Sequence, residues 1–116
     1  MENFKQIKTY EDALKALGRE DFSYENLYPR EIARRKLEII IEAMNEGWKP
    51  DWKNASQLKW YPNFDRSTAG FRFWYSNNSP TFAISHIGVR LCCKDEKTTD
   101  YVGQQFLDLY KEMFLG

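Results

Sequence analysis

The sequence lacks an excess of charge of either sign, since 17 lysine and arginine residues balance 17 aspartate and glutamate residues in a chain of 116 residues. Affinity for nucleic acids comes largely from neutralising phosphates, so this balance argues against a strongly basic nucleic-acid-binding protein. A local basic patch remains compatible with the composition. With one histidine and two adjacent cysteines, the chain also shows none of the spacings typical of metal sites.

Long apolar segments are missing as well. The longest apolar run, 39-III-41, is far shorter than the roughly 20 residues of a membrane-spanning helix. The first residues, MENFKQIKTYEDA, contain no apolar segment of the kind found in signal peptides. Cys92 and Cys93 are sequence neighbours, which makes them poor disulfide partners and favours reduced thiols. These absences predict a cytoplasmic protein that does not contact a membrane.

The residues that are present are typical of one folded domain spanning 1–116. Hydrophobic residues make up 42% of the chain and charged residues 29%, as in soluble globular proteins. A chain of this length buries about two-thirds of the surface that it exposes when unfolded, so it needs no metal or disulfide to fold. Aromatic residues are abundant at 16%, and their placement therefore carries much of the information.

Two helices are predicted in the first half of the chain. Thr9 and Asp12 resemble a capping box in front of an apolar stripe of helical spacing, and Gly18 is a natural end for this first helix. The second predicted helix begins at Pro29, because proline is favoured in the first turn. Gly47 marks its predicted end.

A last helix is predicted after Asp95, which is a favourable N-cap residue. Gly103 lies inside this helix, where it costs about 1 kcal/mol of helix propensity relative to alanine. We therefore expect Gly103 to mark a close approach of the helix to the sheet. The apolar stripe of this helix consists of Val102, Phe106, Leu109 and Met113.

Between the second helix and the last helix the period of the apolar pattern changes to two, which is typical of strands. Alternation is clear in 57–65, 70–76 and 87–94, whereas 81–86 is compatible with a strand or a loop. Pro62 cannot donate a ladder hydrogen bond, which predicts an edge strand or a bulge. Short links favour an antiparallel meander of three strands with helices on one face. The predicted fold is α+β, in the order α-α-β-β-β-α.

The stretch 46-EGWKPDWKNASQLKWYPNFD-65 holds three of the four tryptophans. Such a cluster either packs a core or offers a stacking surface to a ligand. Packing alone accounts for Trp48, Trp52 and Trp60, because burying a large apolar side chain contributes about 1.5–3 kcal/mol. Strand alternation places a different set of side chains on the sheet face away from the helices. These predicted binding residues are Lys59, Tyr61, Arg72, Trp74 and Arg90.

Four segments are distinctive in combination: 7-IKTYEDALKALG-18, 45-NEGWKPDW-52, 88-GVRLC-92 and 102-VGQQFLDLYKEMF-114. Together they resemble a family of short uncharacterised proteins from Bacteroides-type bacteria and their phages and mobile elements. The likeness covers nearly the whole chain, except that residues 76–86 do not match. The family has no established activity, so it implies no catalytic residue. The resemblance implies a cytoplasmic accessory protein of phage or mobile-element origin.

Catalytic constellations are sparse in the sequence. Cys92 or Cys93 with His86 is the only conceivable pair of nucleophile and base. If Cys92 lies on the open face beside Arg90, that cation would lower the pKa of its thiol. Adjacent thiols in a strand are more often packing groups. Single glycines do not form a phosphate-binding loop, and the paired carboxylates have spacings found in any charged protein. We therefore predict a non-enzymatic protein without a metal or other cofactor.

An exposed aromatic and basic sheet face is typical of an interaction surface. We expect this face to bind a protein partner or a second copy of the chain. The alternative is single-stranded nucleic acid, because bases stack on aromatic rings interleaved with cations, at about 1–3 kcal/mol per base. The run 70-GFRF-73 shares part of the pattern of an RNA-recognition strand, although the predicted order of elements differs. A steep dependence of affinity on salt distinguishes nucleic acid from a protein partner.

Overall fold

The computed structural model describes residues 3–66, 70–79 and 90–116. Within these residues the fold is α+β, with four α-helices and a two-stranded antiparallel sheet. None of the described helices combines the length and apolar composition needed to cross a membrane. The chain begins with a short 3-10 helix, Asn3–Gln6. The elements that follow are α1 Tyr10–Leu17, α2 Pro29–Asn45, β1 Lys59–Asp65, β2 Arg72–Ser79, α3 Glu96–Gln105 and α4 Leu107–Leu115.

The described residues do not contain the predicted three-stranded meander, so the order α-α-β-β-β-α is wrong for them. The predicted third strand 87–94 lies partly outside the described residues, as does all of 81–86. Its described part forms one antiparallel bridge, in which Cys93 and Trp60 exchange backbone hydrogen bonds of 3.1 and 2.7 Å. Residues 91–93 are all buried. Their apolar character therefore indicated burial and not a ladder.

The local signals that predicted the starts of α1 and α2 are confirmed. The Thr9 hydroxyl accepts a hydrogen bond from the Asp12 backbone N–H at 3.1 Å, and the Asp12 carboxylate accepts one from the Thr9 N–H at 3.1 Å. Gly18 ends α1 in the left-handed conformation, with a φ of 63°. Pro29 occupies the first turn of α2. These signals are reliable because each one satisfies backbone groups that a helix end leaves unpaired.

The end of α2 anchors the buried segment 91–93. The helix ends at Asn45, and Glu46 and Gly47 then adopt positive φ angles of 49° and 90°. Asn45 is only 4% exposed. Its Nδ2 donates to the Cys92 carbonyl at 3.0 Å, and its Oδ1 accepts from the Lys94 N–H at 3.1 Å. One side-chain amide thus provides the segment with a donor and an acceptor, as a neighbouring strand would.

The single helix predicted after Asp95 is divided into α3 and α4. Asp95 does cap α3, since its Oδ1 accepts from the Thr98 N–H at 2.8 Å. At Phe106 the backbone leaves the helical conformation, with φ −112° and ψ 31°, and α4 begins at the next residue. Phe106 and Tyr110 are both buried. The two helices therefore continue one apolar stripe across the break.

α3 packs on both strands of the sheet, whereas α1 and α4 both pack on α2. The core is formed by buried side chains of these helices and of residues 91–93. Phe64 of β1 joins the sheet to α4, because its ring centroid lies 4.6 Å from that of Tyr110 and 6.0 Å from that of Phe114. The same ring stacks on Phe71 at 5.0 Å. Aromatic pairs of this kind contribute about 0.5–1.5 kcal/mol beyond the area that they bury. The largest fully buried apolar side chains are Tyr110, Leu37, Ile40, Ile41, Met44, Leu91 and Val102.

Gly103 is the point where α3 meets the sheet. A Cβ atom added to Gly103 would lie 2.5 Å from Cδ1 of Phe73 and 3.2 Å from Cβ of Pro62. The first distance is shorter than any ordinary carbon–carbon contact. The close approach of the helix to the sheet that the sequence predicted at Gly103 is confirmed.

Candidate functional site

Lys59 is buried, which contradicts its prediction as an exposed binding residue. Its exposed fraction is 0%. The Nζ atom donates to the Asn54 carbonyl at 2.8 Å and lies 5.2 Å from the centre of the Trp52 ring. The loop that carries Trp52 and Asn54 therefore covers this end of the sheet face. Strand alternation predicted the direction of the Lys59 side chain but could not predict what covers it.

Tyr61 lies on the same face as Lys59 and is half-buried, in contact with the hydrophobic core. Burial raises the pKa of its phenol first, and the nearby Tyr75 and Cys92 groups raise it further. A side-chain hydrogen bond with Asn77, its cross-strand partner, lowers the same pKa. Tyr61 is thus a packing residue with a paired hydroxyl, and only part of its ring is accessible to a ligand.

β2 contains a bulge at Trp74. Asn63 pairs with Tyr75, and Phe64 pairs with Phe73, so Trp74 is an extra residue between the two pairs. A bulge places two adjacent side chains on the same side of a strand. The rings of Trp74 and Tyr75 accordingly contact each other, with centroids 5.0 Å apart and an angle of 83° between their planes. Pro62 had predicted an irregular ladder, but the extra residue belongs to the opposite strand.

The bulge creates an exposed aromatic pair, which we call the Trp74–Tyr75 patch. Trp74 is 68% exposed and Tyr75 is 44% exposed. Simple alternation had placed Tyr75 toward the helices together with Phe71 and Phe73, so the sequence missed it as a surface residue. Nothing in the local sequence marks the position of a bulge within an aromatic run. A large apolar patch at the surface is a common property of interaction sites.

The predicted arginines have different surroundings. Arg72 is exposed, but its Nε and Nη2 atoms both bond Oδ2 of Asp65, at 3.1 and 3.0 Å. Asp65 is its cross-strand partner, so the pair is built into the register of the sheet. Arg90 is exposed in the turn before the buried segment 91–93. With Lys59 buried and Arg72 ion-paired, the surface around Trp74 is more aromatic and less basic than predicted.

A groove of about 580 Å³ lies beside the Trp74–Tyr75 patch and is lined by residues 62–66, Trp74 and Phe114. The guanidinium of Arg66 lies 4.5 Å from the centre of the Phe114 ring. The Nδ2 atom of Asn63 is buried and has no hydrogen-bond partner in the part of the chain that the structure describes. The sequence missed Asn63, Arg66 and Phe114 as a group, because the bulge and the end of α4 bring them together.

Cys92 and Cys93 are both buried, which removes support from the alternative of an exposed Cys92 with a lowered pKa. Burial raises the pKa of Cys92 to about 11, and the charge of nearby Lys59 opposes this shift only in part. Burial likewise raises the pKa of Cys93 to about 12. His86, the predicted base, lies outside the described residues. Over residues 3–66, 70–79 and 90–116, no three His, Cys, Asp or Glu side chains are grouped to hold a metal ion.

We expect both thiols to react slowly in the folded protein, and stability to fall above about pH 9. Thiols of the unfolded chain ionise with a pKa of about 8.5, whereas burial raises the folded values to about 11 and 12. The protonated thiols therefore contribute stability that is complete below about pH 8.5 and is lost as the pH rises toward the folded values. Reaction with DTNB at about pH 8, with and without urea, and urea unfolding at rising pH measure the two effects. Equal DTNB rates in both states would contradict the burial of these thiols.

Comparison with known proteins finds no match among family models, curated proteins or solved structures. The resemblance to short proteins of Bacteroides-type bacteria stays a prediction from the four segments named above.

Proposed function

We propose that this protein is a non-enzymatic interaction module that binds a protein partner through the Trp74–Tyr75 patch. The observation that supports this proposal is the bulge, which raises Trp74 out of the ladder and leaves it 68% exposed. Bulges frequently redirect a side chain toward a functional role. Tryptophan and tyrosine are also the residues most enriched among those that dominate binding energy at protein interfaces.

A protein partner fits this surface better than single-stranded nucleic acid. Nucleic-acid binding requires cations along the path of the phosphate backbone. Lys59 is buried, and Arg72 already bonds the Asp65 carboxylate. The balanced charge of the whole chain adds no long-range attraction for phosphates. Trp74 and Tyr75 offer rings for stacking, but two of the three predicted cations, Lys59 and Arg72, are engaged within the fold.

The non-enzymatic part of the proposal is supported by the thiols. Cys92 and Cys93 were the candidate nucleophiles, and burial raises their pKa values to about 11 and about 12. A nucleophilic thiol needs a lowered pKa and access to substrate. The resemblance to phage and mobile-element proteins adds the proposal of a cytoplasmic accessory role.

We expect Trp74→Ala to lower the affinity for protein ligands at least about tenfold while leaving the free energy of unfolding within about 0.5 kcal/mol. The reason is that an exposed side chain contributes little to the fold and much to an interface that buries it. A displayed library of random peptides is selected on the wild-type protein. The selected peptides are then measured against wild type and Trp74→Ala, and urea unfolding checks the stability of both.

Tyr28→Ala is the matched control for this experiment. Tyr28 is also an exposed aromatic residue, at 61%, but it lies at the start of α2. Selected peptides that bind all three proteins equally would contradict the proposal. So would saturable quenching of tryptophan fluorescence by oligo-dT or oligo-U that is lost in Trp74→Ala and weakened by salt, because it would favour nucleic acid. A molar mass that rises with concentration and falls in Trp74→Ala would identify the partner as a second copy of the chain.

A further inference from the structure

The groove beside the Trp74–Tyr75 patch has chemical features that define what occupies it. We infer that it receives an acidic peptide segment of the partner protein, with an apolar side chain against Trp74 and Phe114 and a neighbouring carboxylate on Arg66. This inference rests on the proposed function, because it assigns the partner's contact segment to the same surface. The inference adds that this segment carries an apolar side chain and a carboxylate, which the exposure of Trp74 alone does not define.

The walls of the groove favour an apolar side chain. Trp74, Phe64 and Phe114 contribute aromatic surface, and Pro62 adds an aliphatic ring. The Phe64 and Phe114 rings lie 6.0 Å apart and are partly buried against the core. The volume of about 580 Å³ falls within the range of about 300–1,000 Å³ typical of small-ligand sites. The groove is therefore large enough for a short stretch of peptide and its side chains.

The charges of the groove favour an anion. Asp65 and Arg66 are the two charged residues of the lining. The Asp65 carboxylate already accepts a hydrogen bond from Nε of Arg72 and forms an ion pair with its Nη2. Arg66 lies over the Phe114 ring, and no acidic side chain of the described residues is within ion-pair distance of its guanidinium. The unbalanced charge of the groove is therefore positive, and a carboxylate on the occupant complements it.

The buried amide of Asn63 requires an acceptor. Its Nδ2 is shielded from water and has no hydrogen-bond partner within the described chain. Buried donors are almost always paired in native proteins, and an unpaired donor lowers stability. Because the Nδ2 atom is shielded in this conformation, a backbone carbonyl of a bound peptide can accept from it only after the Asn63 side chain turns toward the groove. Asn63 and Arg66 thus both require acceptors, and a peptide with an acidic side chain carries acceptors of both kinds.

The test uses three tetrapeptides, each acetylated and amidated: Ala-Phe-Glu-Ala, Ala-Phe-Gln-Ala and Ala-Phe-Lys-Ala. Each peptide is titrated to millimolar concentration into the isotope-labelled protein, and amide NMR spectra are recorded. We expect the glutamate peptide to shift the Asn63 side-chain amide and the Trp74 indole N–H. It should bind about fivefold more tightly than the glutamine peptide, as one partly exposed ion pair contributes. The lysine peptide should bind most weakly.

Two variants separate charge from shape. Arg66→Gln should remove the preference for glutamate over glutamine and leave the affinity for the glutamine peptide unchanged. Asn63→Asp should lower the affinity for the glutamate peptide most, because the introduced carboxylate repels the carboxylate of that peptide. Arg35→Gln is the matched control, since Arg35 also lies over a phenylalanine ring, that of Phe22, outside the groove. It should retain the full preference, and thermal unfolding verifies that each variant is folded.

Several outcomes would overturn the inference. These are equal affinities for the glutamate and glutamine peptides, a preference for lysine, no shifts at the groove, or a glutamate preference that survives in Arg66→Gln. Peptides from the display selection that depend on Trp74 would still support the proposed function in each case. Conversely, selected peptides that bind wild type and Trp74→Ala with equal affinity would overturn the proposed function, whatever the tetrapeptides show. The two failures are therefore distinguishable.

Discussion

Gly103→Val is expected to destabilise the protein by about 3 kcal/mol, because the added side chain enters the space of the Phe73 ring. A Cβ atom alone would lie 2.5 Å from Cδ1 and 2.8 Å from Cε1 of that ring. Gly103→Ala should cost less, about 1–2 kcal/mol, since the helix-propensity gain of about 1 kcal/mol opposes the clash. Urea unfolding followed by circular dichroism measures both differences.

A control variant and a double variant identify the cause. Gln104 is the exposed neighbour of Gly103 in α3, and Gln104→Val introduces the same β-branched residue away from the sheet. We expect it to cost less than about 1 kcal/mol. Phe73→Leu should partly relieve the clash, so that its combination with Gly103→Val costs less than the sum of the two single changes. Strict additivity, or equal costs at Gly103 and Gln104, would contradict the close contact.

The features predicted correctly from the sequence are those set by a few neighbouring residues. The capping box of Thr9 and Asp12, the first-turn Pro29 and the N-cap Asp95 each satisfy backbone groups within one turn of a helix. Gly103 was predicted by a different argument, because a residue that weakens a helix needs a compensating contact. That contact with the sheet is present. Local chemistry was thus sufficient for the helices.

The candidate site was only partly predictable, because its properties depend on what lies over the sheet. Alternation gives the direction of the Lys59 side chain, but the loop with Trp52 and Asn54 buries it. The bulge at Trp74 then shifts the alternation by one residue and turns Tyr75 toward the solvent. Neither the loop's position nor the bulge's place is encoded in a short pattern. Alternation therefore predicts side-chain direction only up to a bulge, and exposure had to be observed.

Within the described residues, the predicted third strand is reduced to a single bridge, and Asn45 pairs two further backbone groups of this segment. The described part of 87–94 forms one bridge with β1, through Cys93 and Trp60. On its other side, the Asn45 amide bonds the Cys92 carbonyl and the Lys94 N–H. A buried side chain at the end of α2 thus takes the role of a neighbouring strand for these two backbone groups.

Asn45→Leu is expected to destabilise the protein by about 3 kcal/mol. The substitution leaves the Cys92 carbonyl and the Lys94 N–H without their partner, and each unpaired buried group costs about 1–3 kcal/mol. Asn45→Asp keeps an acceptor for Lys94 but places a carboxylate against the Cys92 carbonyl. Its cost should therefore be similar at neutral pH and smaller in acid, where the carboxyl is protonated and again donates. Urea unfolding at both pH values, each compared with wild type, measures these changes.

Gln57, which is half-buried and whose hydrogen bonds are exposed, provides the matched control for Asn45. Its side chain also bridges two backbone groups, since Nε2 donates to the Lys49 carbonyl at 3.1 Å and Oε1 accepts from the Asp51 N–H at 2.6 Å. Both of these bonds are exposed, so water can replace them in Gln57→Leu, and we expect a cost below about 1 kcal/mol. Equal costs at the two positions would show that burial is not what makes Asn45 important. A larger loss of stability in Asn45→Leu than in Gln57→Leu, together with faster hydrogen exchange of the Lys94 amide in Asn45→Leu, would show that a single buried amide attaches residues 92–94 to the end of α2.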